Sequence, residues 1–212
     1  QGKNPTVLIG GIAGYNYYGT ISECKVSNSI ISGTNQSTTA GGAVYVAGIA
    51  ANNIEGTIKS CTVENSTITG TNENTASQNL VGGIAADNIV GTIEHCKVIN
   101  GSVSTSGSME VSSVGGIAGC SDGTLKDCSN SASVTGNNAF NLKEKEEVSL
   151  GSGGVVGCNY SRVESCSNTG SVTGNGLFTG GVVGYNTTNN TTDGTISASH
   201  NTGAVKGAQY VG

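Results

Sequence analysis

The chain has 212 residues, and 35 Gly, 26 Ser, 24 Thr and 23 Asn fill 108 of them. Nine Lys and Arg against 14 Asp and Glu leave a net charge of −5, and Arg162 is the single Arg. This excludes the basic face that nucleic acid needs and a basic membrane-surface helix. No run of ~18 apolar residues exists to span a membrane.

Gly lacks the every-third spacing of collagen, and there is one Pro. Helix formers are scarce against residues that rank low for helix. Such a composition also suits disorder, but 35% of the residues are hydrophobic and they recur at fixed spacing.

In chain order, six copies of one segment appear. They open with GGIAGYNYYGTISEC at Gly10, AGIAANNIEGTIKSC at Ala47, GGIAADNIVGTIEHC at Gly82, GGIAGCSDGTLKDC at Gly115, GGVVGCNYSRVESC at Gly153 and GGVVGYNTTNNTTDGTISAS at Gly180. The starts lie 37, 35, 33, 38 and 27 residues apart. Copies close on a hydrophobic–polar–Gly triplet such as Ile31-Ser32-Gly33 or Val172-Thr173-Gly174. Variable inserts follow at 34–46, 71–81, 108–114 and 137–152, and they are expected along one edge.

Within a copy the period is two. Cys128, Asn130, Ala132, Val134 and Gly136 alternate with Ser129, Ser131, Ser133 and Thr135. That is strand periodicity, with small or apolar side chains on one face and hydroxyls on the other. Each copy reads as two or three short strands joined by Gly and Asn turns, as at Asp122-Gly123 and Asp193-Gly194. One copy buries too few apolar side chains to offset the entropy of ordering it, so the copies must stack. The expected fold is all-β: a single parallel β-solenoid of about six coils over residues 1–212, about 30 Å tall at ~4.8 Å per coil. Gly is expected at corners that need positive φ and in a narrow interior.

Two columns follow from the alignment. Cys24, Cys61, Cys96, Cys128 and Cys166 share one repeat position, continued by Ser199. They read as an interior thiol ladder beside Ile21, Ile58, Ile93, Leu125, Val163 and Ile196. Two positions before the Cys stand Ser22, Lys59, Glu94, Lys126, Glu164 and Ser197, alternating in charge as neighbouring rungs should. Cys120 and Cys158 share a second position with Tyr15 and Tyr185, and are the pair best placed to bond.

The G-G-hydrophobic-hydrophobic-G opening and the x-C-x-N-x-G-x-V-x-G ending resemble the GLUG repeat. The resemblance is closest at 115–136, 153–174 and 180–207, and Ala47, Ala51 and Ala86 depart from it where Gly is expected. GLUG repeats occur in bacterial surface and secreted proteins, including the non-catalytic region of M26-type IgA-specific metallopeptidases. The resemblance implies extracellular or cell-surface display on a β-solenoid, and it brings no catalytic residues. Both ends break the repeat in the same phase, Val7-Leu8-Ile9-Gly10 and Gln209-Tyr210-Val211-Gly212, as a segment of a longer chain would.

Chemistry is sparse. The Cys spacing lacks the close pairs of a zinc site. Asp87, Asp122 and Asp193 lack calcium-loop spacing. H-E-x-x-H and a G-x-S-x-G elbow are absent. His95 adjoins Cys96, but strand neighbours point to opposite faces. Glu144, Glu146 and Glu147 with Lys143 and Lys145 read as a solvated loop. A regular Thr-x-Thr ice-binding face is seen only at Thr67-Ile68-Thr69.

No cofactor or metal is expected. The leading expectation is a non-catalytic extracellular stalk or adhesin-like scaffold. Its partners would be neighbouring repeats or domains, further copies stacked end to end as in a fibre, or a host or matrix protein or glycan. A carbohydrate-binding or carbohydrate-processing β-helix is the alternative, with Tyr15, Tyr17, Tyr18, Tyr45 and Tyr160 as ligand contacts.

Overall fold

Period-two alternation makes each short stretch a strand, and no stretch is long enough to pair with itself. Every strand therefore pairs with its counterpart in the next copy. The computed structural model describes residues 6–36, 41–74, 77–107, 111–138, 151–189 and 192–212. Its ladder is parallel throughout, apart from one isolated antiparallel bridge between Thr188 and Asp193. The expected parallel β-solenoid is the fold.

Each coil contributes to four sheets rather than two or three strands. The first sheet stacks seven strands, from Val7–Gly10 and Val44–Ala47 up to Phe178–Gly180 and Tyr210–Val211. The second stacks six, from Ala13–Tyr17 to Val183–Asn186, and the third six, from Thr20–Ser22 to Thr195–Ser197. The fourth carries the longest strands, Thr62–Asn72 and Lys97–Gly107. The second and third sheets thus make five stacking steps, and the first, with its seventh strand, makes six. The extra strands arise because the Gly pair and the Gly-Thr step each bend the chain into a new sheet.

Register follows the repeat. Gly10, Ala47, Gly82, Gly115, Gly153 and Gly180 pair in succession. So do Ser22, Lys59, Glu94, Lys126, Glu164 and Ser197, which places the alternating charges on adjacent rungs. The inserts all leave between the fourth sheet and the next strand of the first. The charged cluster at 143–147 lies outside the described residues.

The core is a thin column. Ile58, Ile93, Leu125 and Val163 are fully buried at consecutive rungs, while Ile196, on the last rung of that sheet, is 44% exposed. Opposite them lie Val46, Ile68, Val81, Val103, Val134 and Val172. In the fourth sheet Cys128, Asn130, Ala132 and Val134 are buried, and the intervening Ser129, Ser131, Ser133 and Thr135 are not.

Glycine's role differs from the expectation. The left-handed corners are occupied mostly by other residues: Tyr18, Glu55 and Val90 at one corner, and Glu23, Ser60, His95, Asp127, Ser165 and Ala198 at another. Their amides continue the ladder. Glu23, Ser60, His95 and Asp127 each donate at 3.0 Å to a carbonyl of the next coil. Glycine is required by close approach instead. A Cβ on Gly83 would sit 2.0 Å from the Gly116 carbonyl oxygen, and one on Gly116 2.2 Å from that of Gly154. The second Gly of each pair stacks directly on its counterpart, and all six copies carry Gly there.

Two stability outcomes follow. Gly83→Ala should lower the urea midpoint by the equivalent of about 3 kcal/mol through overpacking. Gly14→Ala, whose nearest neighbour would be 3.4 Å away, should be near neutral; equal effects would refute the stacking account. Val90 is β-branched, 66% exposed and held at φ 53°. Val90→Asn should raise stability by about 1 kcal/mol in thermal unfolding, because Asn tolerates the left-handed region.

Candidate functional site

Three places gather side chains with chemistry: the thiol column, a cleft between the first and second sheets, and a tyrosine cluster on the first coil.

The left-handed residue at each third-to-fourth-sheet corner turns the next side chain inward. Cys61, Cys96, Cys128 and Cys166 are consequently buried, and Cys24 on the first rung is half-buried. Each buried thiol donates to the carbonyl two residues earlier: Cys61 to Lys59 at 3.3 Å, Cys96 to Glu94 at 3.3 Å, Cys128 to Lys126 at 3.2 Å, Cys166 to Glu164 at 3.3 Å. Successive sulfurs also contact one another: the contact with Cys96, and then burial, holds the Cys61 thiol up, and the contacts with Cys166 and Cys96, and then burial, hold the Cys128 thiol up. Only the neutral thiol can donate to a carbonyl, and the surroundings are apolar, so the column is neutral and serves as packing.

His95 occupies a corner, not a strand, which corrects the reason for its separation from Cys96. Its imidazole is 58% exposed, with Nδ1 3.8 Å from Asp127 Oδ2 on the next rung, while Cys96 points into the core.

The Gly pair folds the second sheet back against the outer face of the first. Phe178 and Tyr185 stack across the fold with ring centroids 4.7 Å apart. Tyr45 and Cys120 pack against Ala47, Leu80 and Ala86 in a small second core. Along the second-sheet wall, Tyr15, Asn52, Asp87, Cys120, Cys158 and Tyr185 follow one another in register. Burial, and then Asp122, push the Asp87 carboxyl up to about 7. Burial, and then the charges of Asp87 and Cys120, push the Tyr45 hydroxyl up to about 12. Tyr45 also donates a short hydrogen bond to Gln78 Oε1.

The candidate tyrosines therefore divide. Tyr15, Tyr17 and Tyr18 form one exposed group, with Tyr15–Tyr17 centroids 6.1 Å and Tyr17–Tyr18 centroids 4.3 Å apart. Tyr18 is left-handed, so its ring stands off the strand, and its hydroxyl donates to Glu55 Oε1 at 2.8 Å. Tyr45 belongs to the cleft. Tyr160 is half-buried, in the repeat column of Tyr17 but on the fifth coil, and its carbonyl accepts from Thr192 Oγ1 at 2.7 Å.

Sequence reasoning missed the interior amide ladders. Asn16 Nδ2 donates to Asn53 Oδ1 at 2.7 Å, Asn53 to Asn88 at 2.8 Å, and Asn88 to Ser121 Oγ at 3.0 Å. Asn130, Asn168 and Asn201 form a second ladder with 2.8 Å links. Each of Asn16, Asn53 and Asn88 also donates to the Gly carbonyl three residues on, so the recurring Asn-x-x-Gly was the available signal. Among the described residues, no group of three or more His, Cys, Asp or Glu is placed to hold a metal ion. No helix among them is long and apolar enough to cross a membrane.

Asp87 gives a pH signature. The folded state keeps the carboxyl proton up to about pH 7, whereas an unfolded Asp loses it near 3.9. The folded chain thus binds more protons between these values, and stability falls as pH rises from about 4 through about 7. In thermal unfolding across this range, Asp87→Asn should flatten that fall and melt above wild type at pH ~8, with the gap closing towards pH ~4. Parallel curves for the two proteins would remove Asp87 as the cause.

Compared with family models, the chain matches the GLUG motif at residues 6–31 and 149–173. These stretches are the first coil up to Ile31, and the lead-in and body of the fifth. Neither the curated proteins nor the solved structures return a match. Both matched stretches contain the stacked Gly pair and the following small residue that lets the second sheet close on the first. The chain is a parallel β-solenoid that carries GLUG motifs.

Proposed function

We propose that this solenoid is a non-catalytic extracellular scaffold, a stalk or adhesin-like segment that displays its surface at a distance. The observation that supports it best is the unbroken stacking: in all four sheets the strands follow one another from the first rung to the last. A polypeptide paired this way is stiff along the stacking axis, and each coil adds ~4.8 Å of reach. The outward face of the fourth sheet is hydroxyl-rich, with Lys25, Glu64, Lys97 and Lys206 interspersed. Ser32, Thr69, Ser104, Thr135 and Thr173 stack in one column, with Thr69 Oγ1 and Ser104 Oγ 3.2 Å apart. Antibody labelling of intact source cells should detect the chain, and added protease should remove that signal. A chain found only after lysis overturns the reading.

A second reading, carbohydrate binding, is favoured by the tyrosine group. Three exposed rings lie within four residues on the rigid first coil, and Glu55 anchors one of them. Aromatic faces pack against the apolar faces of sugar rings, and Glu55 carries acceptors for hydroxyls. On a glycan array, binding should vanish in a Tyr17→Ala/Tyr18→Ala variant and persist in Tyr160→Ala. A blank array for the wild type removes this reading.

A further inference from the structure

Cys120 and Cys158 stand apart from the other five cysteines. They lie in the second sheet, directly paired in register on the fourth and fifth rungs. Above them the column continues with Tyr185 and below them with Asp87, so neither has a competing thiol on its open side. The interior thiols face the apolar core and nearby backbone carbonyls. Cys120 is half-buried, so a small reagent can reach it, while Cys158 on the next rung is buried. In-register neighbours in a parallel sheet lie ~4.8 Å apart, inside the Cα separation a disulfide requires. The two sulfurs are also in contact, which together with burial holds the Cys120 thiol up.

A second observation concerns where this pair sits. The longest insert, 137–152, separates the fourth and fifth rungs. A covalent link between Cys120 and Cys158 would tie together the two coils that this insert separates in the sequence.

We propose that Cys120 and Cys158 form a reversible inter-rung disulfide that staples the fourth coil to the fifth across the long insert. The oxidant is a small-molecule disulfide. Cys120 loses its proton, and its thiolate attacks one sulfur of the oxidant. The oxidant's S–S bond breaks, one small thiolate leaves, and a mixed disulfide remains on Cys120. Cys158 then loses its proton and attacks the Cys120 sulfur, expelling the second small thiolate. Two protein thiols are oxidised by two electrons, and the small disulfide is reduced to two thiols. Burial makes the first deprotonation slow, so the bond forms by exchange over hours rather than seconds. A small-molecule dithiol reverses it.

Oxidised glutathione is the probe. The purified, reduced chain is incubated with it, then unfolded, alkylated with a maleimide and digested with trypsin. The outcome expected is five alkylated cysteines of the seven, with peptides 98–126 and 146–162 joined. These peptides contain Cys120 and Cys158 and no other cysteine, so the linkage is unambiguous. Seven alkylated thiols, a cross-link within the interior column, or a stable glutathione adduct on Cys120 of the wild type each overturns the proposal. In Cys158→Ser the adduct on Cys120 should instead accumulate, because the resolving thiol is gone; its failure to do so overturns the order of attack. If that variant does not fold, the wild-type peptide map alone decides. Oxidation should also raise the thermal midpoint by at least about 5 °C. A bond without that rise overturns the stapling role. All readouts use the isolated chain, so they fail or succeed independently of surface display.

Discussion

The structure depends on how closely one coil can approach the next at the Gly pair. The carbonyl of each second Gly occupies the space where a Cβ on the preceding coil's Gly would be, at 2.0–2.3 Å. No other side chain leaves that space open. Once the backbones meet there, the strands on both sides fall into register, and amides along each coil find carbonyls at the hydrogen-bonded strand spacing. The same bend brings the second sheet onto the outer face of the first. Ala51 and Ala86, where Gly stands in other coils, are fully buried in that contact. The corner therefore tolerates one methyl at that position but none at the stacked Gly.

A core this thin leaves polar groups inside, and its Asn columns are satisfied by translation. An Asn at one repeat position meets the same Asn one rung up, so one amide hydrogen goes to its neighbour and the other to a local carbonyl. The thiols follow a similar logic with weaker partners, a carbonyl two residues earlier and, for Cys61, Cys96 and Cys128, a more distant carbonyl of the neighbouring coil. The left-handed corners obey it too. An isolated left-handed Glu or His is unfavourable by ~1–2 kcal/mol, yet each such residue here gains a ladder hydrogen bond to the next coil. Stacking turns a local cost into a repeated, compensated one.

Function enters where the repetition breaks. The rungs differ in the cleft column, which reads Tyr, Asn, Asp, Cys, Cys, Tyr, and in the tyrosines of the first coil. A scaffold requires the columns to be uniform only where backbones touch or side chains are buried. Positions facing outward or into the cleft are released from that demand and can acquire chemistry, such as the raised Asp87 carboxyl.

Much of this was legible in the chain itself. The parallel solenoid, the rung order, the Cys and Ile columns and the adjacency of Lys59, Glu94, Lys126 and Glu164 all follow from repeat spacing and period two. In a stacked repeat, equivalent positions must be neighbours. The number of sheets per coil was not legible, because a bend leaves no hydrophobic period. Glycine's real role was hidden too, since close approach and positive φ both select Gly and only the backbone path separates them. The meeting of Tyr45 with Asp87 and Cys120 across the cleft was equally hidden, because it joins different repeat positions on different rungs. Sequence alone determined what repeats along the stacking axis. The tertiary structure decided how each coil folds across that axis, because contacts between sheets depend on bend angles that no single repeat position encodes.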